Sequence, residues 1–80
     1  MTAEERIVKQ YGNTALARLA GKVLKVFRPT DLMHVAYILN DKKMKGFTDA
    51  IAYRVATEHT AYAKMLVARA EKAKAVVKKS

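Results

Sequence analysis

Beyond Gly46 the chain contains neither glycine nor proline as far as Ser80. These are the strongest local stops for a helix, and the three glycines and single proline all fall earlier, at Gly12, Gly21, Pro29 and Gly46. That distribution predicts short segments up to Gly46 and one long helix after it.

The earlier segments carry their own start and stop signals. Thr2 lies three residues before Glu5, the spacing of a capping box in which each side chain serves an amide at the helix start. Ala3, Ile7 and Tyr11 follow at intervals of four, and Gly12-Asn13 supplies a left-handed stop, so the first predicted helix covers 3–11. Asn13 or Thr14 can cap a second helix over 14–27. Its apolar residues Leu16, Leu19, Ala20, Val23, Val26 and Phe27 recur at three and four, while Arg18, Lys22 and Lys25 gather on the opposite side. Gly21 inside this helix costs about 1 kcal/mol relative to alanine, so it marks a close helix crossing or a bend.

Pro29 disfavours helical geometry at Arg28, and Thr30 with Asp31 offers a cap and an acid at the positive end of the next dipole. The third predicted helix covers 31–40 and is apolar almost all round: Leu32, Val35, Ala36 and Leu39 share a face, flanked by Met33, Tyr37 and Ile38. Such a helix belongs at the centre of the fold or against a second chain. A strand over His34–Leu39 has no partner strand to satisfy its backbone. Asn40–Gly46 reads as a polar connection. Phe47 is then placed as a hydrophobic staple before a Thr48 cap, with Asp49 in the first turn.

The fourth predicted helix covers 49–79. Ile51, Val55, Tyr62, Met65, Leu66, Ala73 and Val76 keep to one side of it, bordered by His59, Ala63 and Ala70. The expected fold is therefore all-α, a single domain in which three short helices pack on one long C-terminal helix. At 1.5 Å per residue that last helix is about 46 Å long, whereas a compact chain of this size is roughly 30 Å across. The far turns would lack an intramolecular neighbour, which predicts a homodimer through the long helix with Tyr37, Ile38, Ala73, Val76 and Val77 as interface residues, or a basic arm that docks on a target.

Composition narrows the function. With 51% apolar residues and 8% aromatics, the 80-residue chain is too apolar for intrinsic disorder, although small enough that its core must be thin. It has no cysteine, which removes disulfides and thiolate metal sites and suits a reducing, cytoplasmic location. The N-terminal Met-Thr-Ala-Glu-Glu-Arg is acidic where a signal peptide would be basic, and the longest apolar run, Leu32–Leu39, falls far short of the roughly 20 residues that span a bilayer.

Charge is the strongest compositional signal. Sixteen Lys and Arg against seven acids give a net +9, distributed unevenly: residues up to Asp41 carry +2 and those from Lys42 onward +7. Surplus of this size favours phosphates or acidic surfaces. Lysines near a helix C-terminus also suit its dipole and keep a small protein in solution, but neither role requires so large an excess.

Enzyme chemistry finds no footing. His34 and His59 are the two histidines. Neither has a second ligand at metal spacing, and the expectation is that His34 interacts with Asp31 at the surface while His59 borders the core. No glycine-rich phosphate loop is present, no cofactor is expected, and Glu58 pairs with Arg54 as an ordinary i, i+4 ion pair. A helix-turn-helix reading of Asn13–Gly21 fails at Arg28-Pro29, where the recognition helix should continue.

The expected function is nucleic-acid binding, to DNA or RNA, mainly through phosphate-backbone electrostatics. The candidate residues are Lys42, Lys43 and Lys45 in the connection and Lys64, Arg69, Lys72, Lys74, Lys78 and Lys79 along the last helix. Tyr53 is the one aromatic on that helix expected to face outward, so base stacking is not indicated. The alternative is a small helical regulator or inhibitor that binds an acidic protein through its long basic helix and the apolar third helix. A membrane-surface role is less apt, because beyond Leu66 the apolar stripe is mostly alanine with no Trp or Phe to insert.

Overall fold

A computed structural model describes residues 2–40 and 42–79, the last six of them by backbone alone. The described residues form five α-helices and no strand. They are α1 (Ala3–Tyr11), α2 (Ala15–Val26), α3 (Pro29–Ile38), α4 (Thr48–Glu58) and α5 (Thr60–Lys79), with a short 3-10 turn over Lys42–Met44 between α3 and α4.

The first two helices start where their hydroxyl caps place them. Thr2 Oγ1 accepts the Glu5 amide at 3.1 Å and donates to the Glu5 carboxylate at 3.2 Å, and Thr14 Oγ1 accepts the Ala17 amide at 3.0 Å. Each hydroxyl thereby serves an amide that has no partner within its own helix. Gly12 ends α1 with φ +95°, a backbone that side chains resist.

Gly21 marks a crossing. A Cβ there would stand 2.6 Å from the Cα of Glu4, so α1 lies directly on the backbone of α2 and only glycine admits it. Ile7 is driven from α1 into the core beside Ala17, Ala20 and Val23 of α2. The small residues on α2 set the spacing.

The third helix departs from expectation at both ends. It begins at Pro29, two residues earlier than Thr30-Asp31 suggested, because proline is pre-set for the first helical position and its missing N–H would be unpaired there in any case. Asp31, in that first turn, accepts the Arg28 amide at 3.2 Å and the Arg28 guanidinium at 3.4 Å. The acid therefore serves Arg28, and His34 stands exposed. The helix ends at Ile38, after which Asn40 takes φ +58°.

Nor is α3 central. It packs on α4 and the 3-10 turn, whereas α2 packs on α1, α4 and α5. Leu32, Val35 and Ala36 enter the core, while Tyr37 and Ile38 remain 79% and 57% exposed. The centre belongs to α2 and α4, whose buried residues are mostly alanine and valine and so let three neighbours approach.

The long last helix is broken. At His59 the backbone takes φ −131° and ψ 50°, which divides the predicted 49–79 helix into α4 and α5. Hydrogen bonding resumes at once on either side, with the His59 amide on Val55 and the Ala63 amide on the His59 carbonyl. Two threonines flank the break and ease it. Thr57 Oγ1 donates to the Tyr53 carbonyl at 2.8 Å and Thr60 Oγ1 to the Ala56 carbonyl at 2.6 Å. A side chain inserted into the i to i−4 ladder is a known source of kinks. An unbroken helix would also set position 59 on the face carried by Val55, Ala56 and Ala63, where an imidazole would be buried; the kink leaves it exposed.

Beyond the kink the buried face is Ala63, Leu66 and Val67, while Met65 and Ala73, both assigned to the stripe from the sequence, are exposed. Two further expectations change at α4. Phe47 occupies the N-cap position and is 66% exposed, so no staple forms, and Thr48 is the first helical residue. Tyr53 faces inward and stacks on Tyr11 with ring centroids 3.9 Å apart and planes 7° from parallel.

The break shortens the last helix to 20 residues, about 30 Å, in a molecule measuring 38 × 27 × 22 Å with a radius of gyration of 12.3 Å. Its buried face still ends at Val67, and beyond it Ala68, Arg69, Glu71, Lys72 and Ala73 are exposed and Ala70 half-buried, so the far part of α5 carries no buried residue among the described side chains.

Candidate nucleic-acid interface

Of the candidate cations, Lys42, Lys43, Lys45, Lys64, Arg69 and Lys72 are all exposed. None meets a carboxylate within ion-pair distance among the described residues, where the pairs are Arg6 with Asp49, Arg28 with Asp31 and Arg54 with Glu58. Lys74, Lys78 and Lys79 lie outside the described side chains, as do the interface candidates Val76 and Val77. Ala73, Tyr37 and Ile38 are exposed.

The fold places three of these cations on two surfaces. The 3-10 turn packs on α3 and α4, whereas α5 packs on α2 and α4. On the first surface, Lys42 and Lys45 share a cleft of about 240 Å³ with Met33, Ala36, Tyr37 and Asn40. The second is a wider groove of about 450 Å³, lined by Lys64 of α5 and by Arg18 and Lys22 of α2, with Leu16, Leu19 and Thr60 also on its walls and Glu4 the one acid among its described lining residues. Arg18 and Lys22 sit one turn apart on the outer side of α2, so both present to the same flank of α5.

Sequence reasoning saw Arg18 and Lys22 as the polar side of an amphipathic helix and left them out of the binding set. Their charge pattern was visible, but their alignment with Lys64 depends on the α2–α5 packing. Tyr37 was likewise read only as an interface residue, and its place beside Lys42 and Lys45 depends on how the turn folds back.

Opposite charge is used for structure elsewhere. Arg6 reaches from α1 to the first turn of α4, with Nε 3.2 Å and Nη2 2.8 Å from the two Asp49 oxygens. This two-pronged pair raises the guanidinium pKa further above its ordinary value, through the hydrogen bond first and the carboxylate charge second. It joins α1 to the negative residue that suits the α4 dipole. Nearby, burial foremost, then the charge of Asp49 and the neighbouring Tyr53, push the Tyr11 phenol above its usual 10.0. Arg54 and Glu58 make the expected pair at 2.9 Å.

No group of three or more His, Cys, Asp or Glu placed to hold a metal ion occurs among the described residues, and no helix among them is long and apolar enough to cross a membrane. The chain thus falls in the class of small, basic, all-helical proteins. No protein-family model matches it, and none of the curated proteins or solved structures compared with it does so either.

Proposed function

We propose that the chain binds nucleic acid, DNA or RNA, chiefly through its phosphate backbone, and that it has no catalytic role. The observation that carries this reading is the groove lined by Arg18, Lys22 and Lys64, drawn from two helices and without an ion pair among the described residues. Cations gathered on one groove raise the local positive potential, and a polyanion is drawn to it. The lysines of the turn and Arg69 and Lys72 along α5 add exposed positive charge. A cysteine-free protein acting on such a target suits the cytoplasm.

The test is a titration of a random-sequence duplex with increasing salt. Binding should fall linearly on a log-log plot, and each phosphate that is no longer neutralised should lower the slope by about 0.9. Arg18→Gln, Lys22→Gln and Lys64→Gln together should therefore flatten it by between about 2 and 3. Absence of binding to any nucleic acid at low salt would remove the proposal. An acidic protein, docked through α5 and the exposed Tyr37 and Ile38, would then be the target to seek.

A further inference from the structure

The cleft between the C-terminal end of α3 and the 3-10 turn brings together groups of unusual mixture for a surface. Met33 and Ala36 provide apolar lining, Tyr37 a ring, Asn40 an amide, and Lys42 and Lys45 two cations. Tyr37 is 79% exposed, so most of an aromatic side chain is left in water although the core offers aromatic partners elsewhere.

We infer that this cleft seats an unpaired nucleobase, stacked on Tyr37, with the flanking phosphates on Lys42 and Lys45. This rests on the nucleic-acid reading and extends it to a preference for single strands. A base has apolar faces and a polar edge, and it comes with a negative charge on either side. The cleft matches each in turn: ring and thioether for the faces, the Asn40 amide for the edge, lysines for the phosphates. A base inside a duplex has its faces covered by its neighbours, so only an unpaired one can use the tyrosine.

The other occupants fit less well. A second copy of the chain brings its own Lys42 and Lys45 to a cleft with no carboxylate among its described lining residues, and each copy carries +9. An acidic peptide would satisfy the lysines, but nothing in it calls for the planar face. The exposed ring decides between them.

The geometry also explains why the ring stands free. α3 stops at Ile38, and Asn40, at φ +58°, turns the chain away before the 3-10 turn returns it. Tyr37 is thus left in the last turn of a helix that packs mainly on α4 and the 3-10 turn. A substitution there should leave the core intact.

The experiment titrates the full chain with oligothymidine and with a random-sequence duplex of equal length at one salt concentration, by fluorescence anisotropy and by tyrosine emission. The chain has four tyrosines and no tryptophan, so stacking on Tyr37 registers as quenching. Wild type should prefer the single strand and show that quenching. Tyr37→Leu should weaken single-strand binding about tenfold, in line with loss of one base-aromatic stack, and leave duplex affinity and its salt slope unchanged. Tyr37→Phe should keep the affinity and lose the quenching.

Equal loss on both nucleic acids, or no loss on either, would overturn the inference while salt-dependent duplex binding left the proposed function standing. Failure to bind either nucleic acid would overturn both. Quenching by an oligoglutamate carrying one leucine, in place of oligothymidine, would assign the cleft to an acidic peptide and overturn the inference as well.

Discussion

Replacing Gly21 by alanine sets two effects of known size against each other. Alanine is favoured in a helix interior by about 1 kcal/mol over glycine, and Gly21 lies well inside α2, so a reading from propensity alone expects a more stable protein. The packing says otherwise. The new methyl would stand 2.6 Å from the Cα of Glu4 and 2.8 and 2.9 Å from its Cβ and Cγ, against the roughly 3.5–4.0 Å at which carbon atoms rest. The nearest atom is backbone and cannot rotate aside, so α1 must retreat by about 1 Å. That retreat lifts Ile7 from its fully buried seat and lengthens the Arg6–Asp49 hydrogen bonds. Overpacking of this kind costs between about 1 and 3 kcal/mol, with backbone clashes at the upper end. We expect a net loss of about 2 kcal/mol after the propensity gain. A domain of this length has a total stability of between about 4 and 12 kcal/mol, so the midpoint of thermal unfolding should drop by about 10 °C. Urea titration followed by circular dichroism would measure it, with an unchanged slope confirming that the unfolded state is unaffected. A Gly21→Ala variant as stable as wild type, or more stable, would refute the close crossing.

Tyr11 gives a pH dependence of definite sign. Its phenol is raised above 10.0 in the folded chain, so both states hold the proton below about pH 10. Above that the unfolded state ionises first, and stability falls as pH rises toward the folded value. Urea midpoints at about pH 9 and 11 should therefore separate more in wild type than in Tyr11→Phe, and an identical pair of shifts would show that the phenol is not desolvated. Leu32, fully buried and the largest core residue of α3, should cost between about 2 and 5 kcal/mol when cut to alanine. A loss under about 1 kcal/mol in the same titration would mean that α3 is only loosely docked.

Local chemistry was legible from the sequence, and geometry between distant elements was not. The hydroxyl caps at Thr2 and Thr14, the stop at Gly12, the crossing at Gly21 and the Arg54–Glu58 pair each depend on residues within a few positions of one another or on glycine having one use in a helix. Pro29 could have been read as the first residue of α3, since proline favours that position, but Thr30-Asp31 offered a competing cap. Arg6 with Asp49 and Tyr11 with Tyr53 join residues about forty apart, and no local pattern encodes such pairings. The same limit hid the two candidate surfaces. The positive charge of α2, the turn and α5 was plain, but which cations share a groove depends on which helices touch.

The kink at His59 shows how these levels combine. Thr57, His59 and Thr60 weaken the helix by only a few tenths of a kcal/mol each relative to alanine, too little to break it, and many helices carry such residues without interruption. What the bend gains is larger. It lets Ala63, Leu66 and Val67 bury themselves against the body, where each of the two larger side chains contributes between about 1.5 and 3 kcal/mol. Packing therefore chooses the bend, and the threonine hydroxyls make it cheap by engaging the carbonyls it exposes. The functional consequence follows from the same choice. α5 packs on α2, and Lys64 lines with Arg18 and Lys22 the groove on which the proposed function rests.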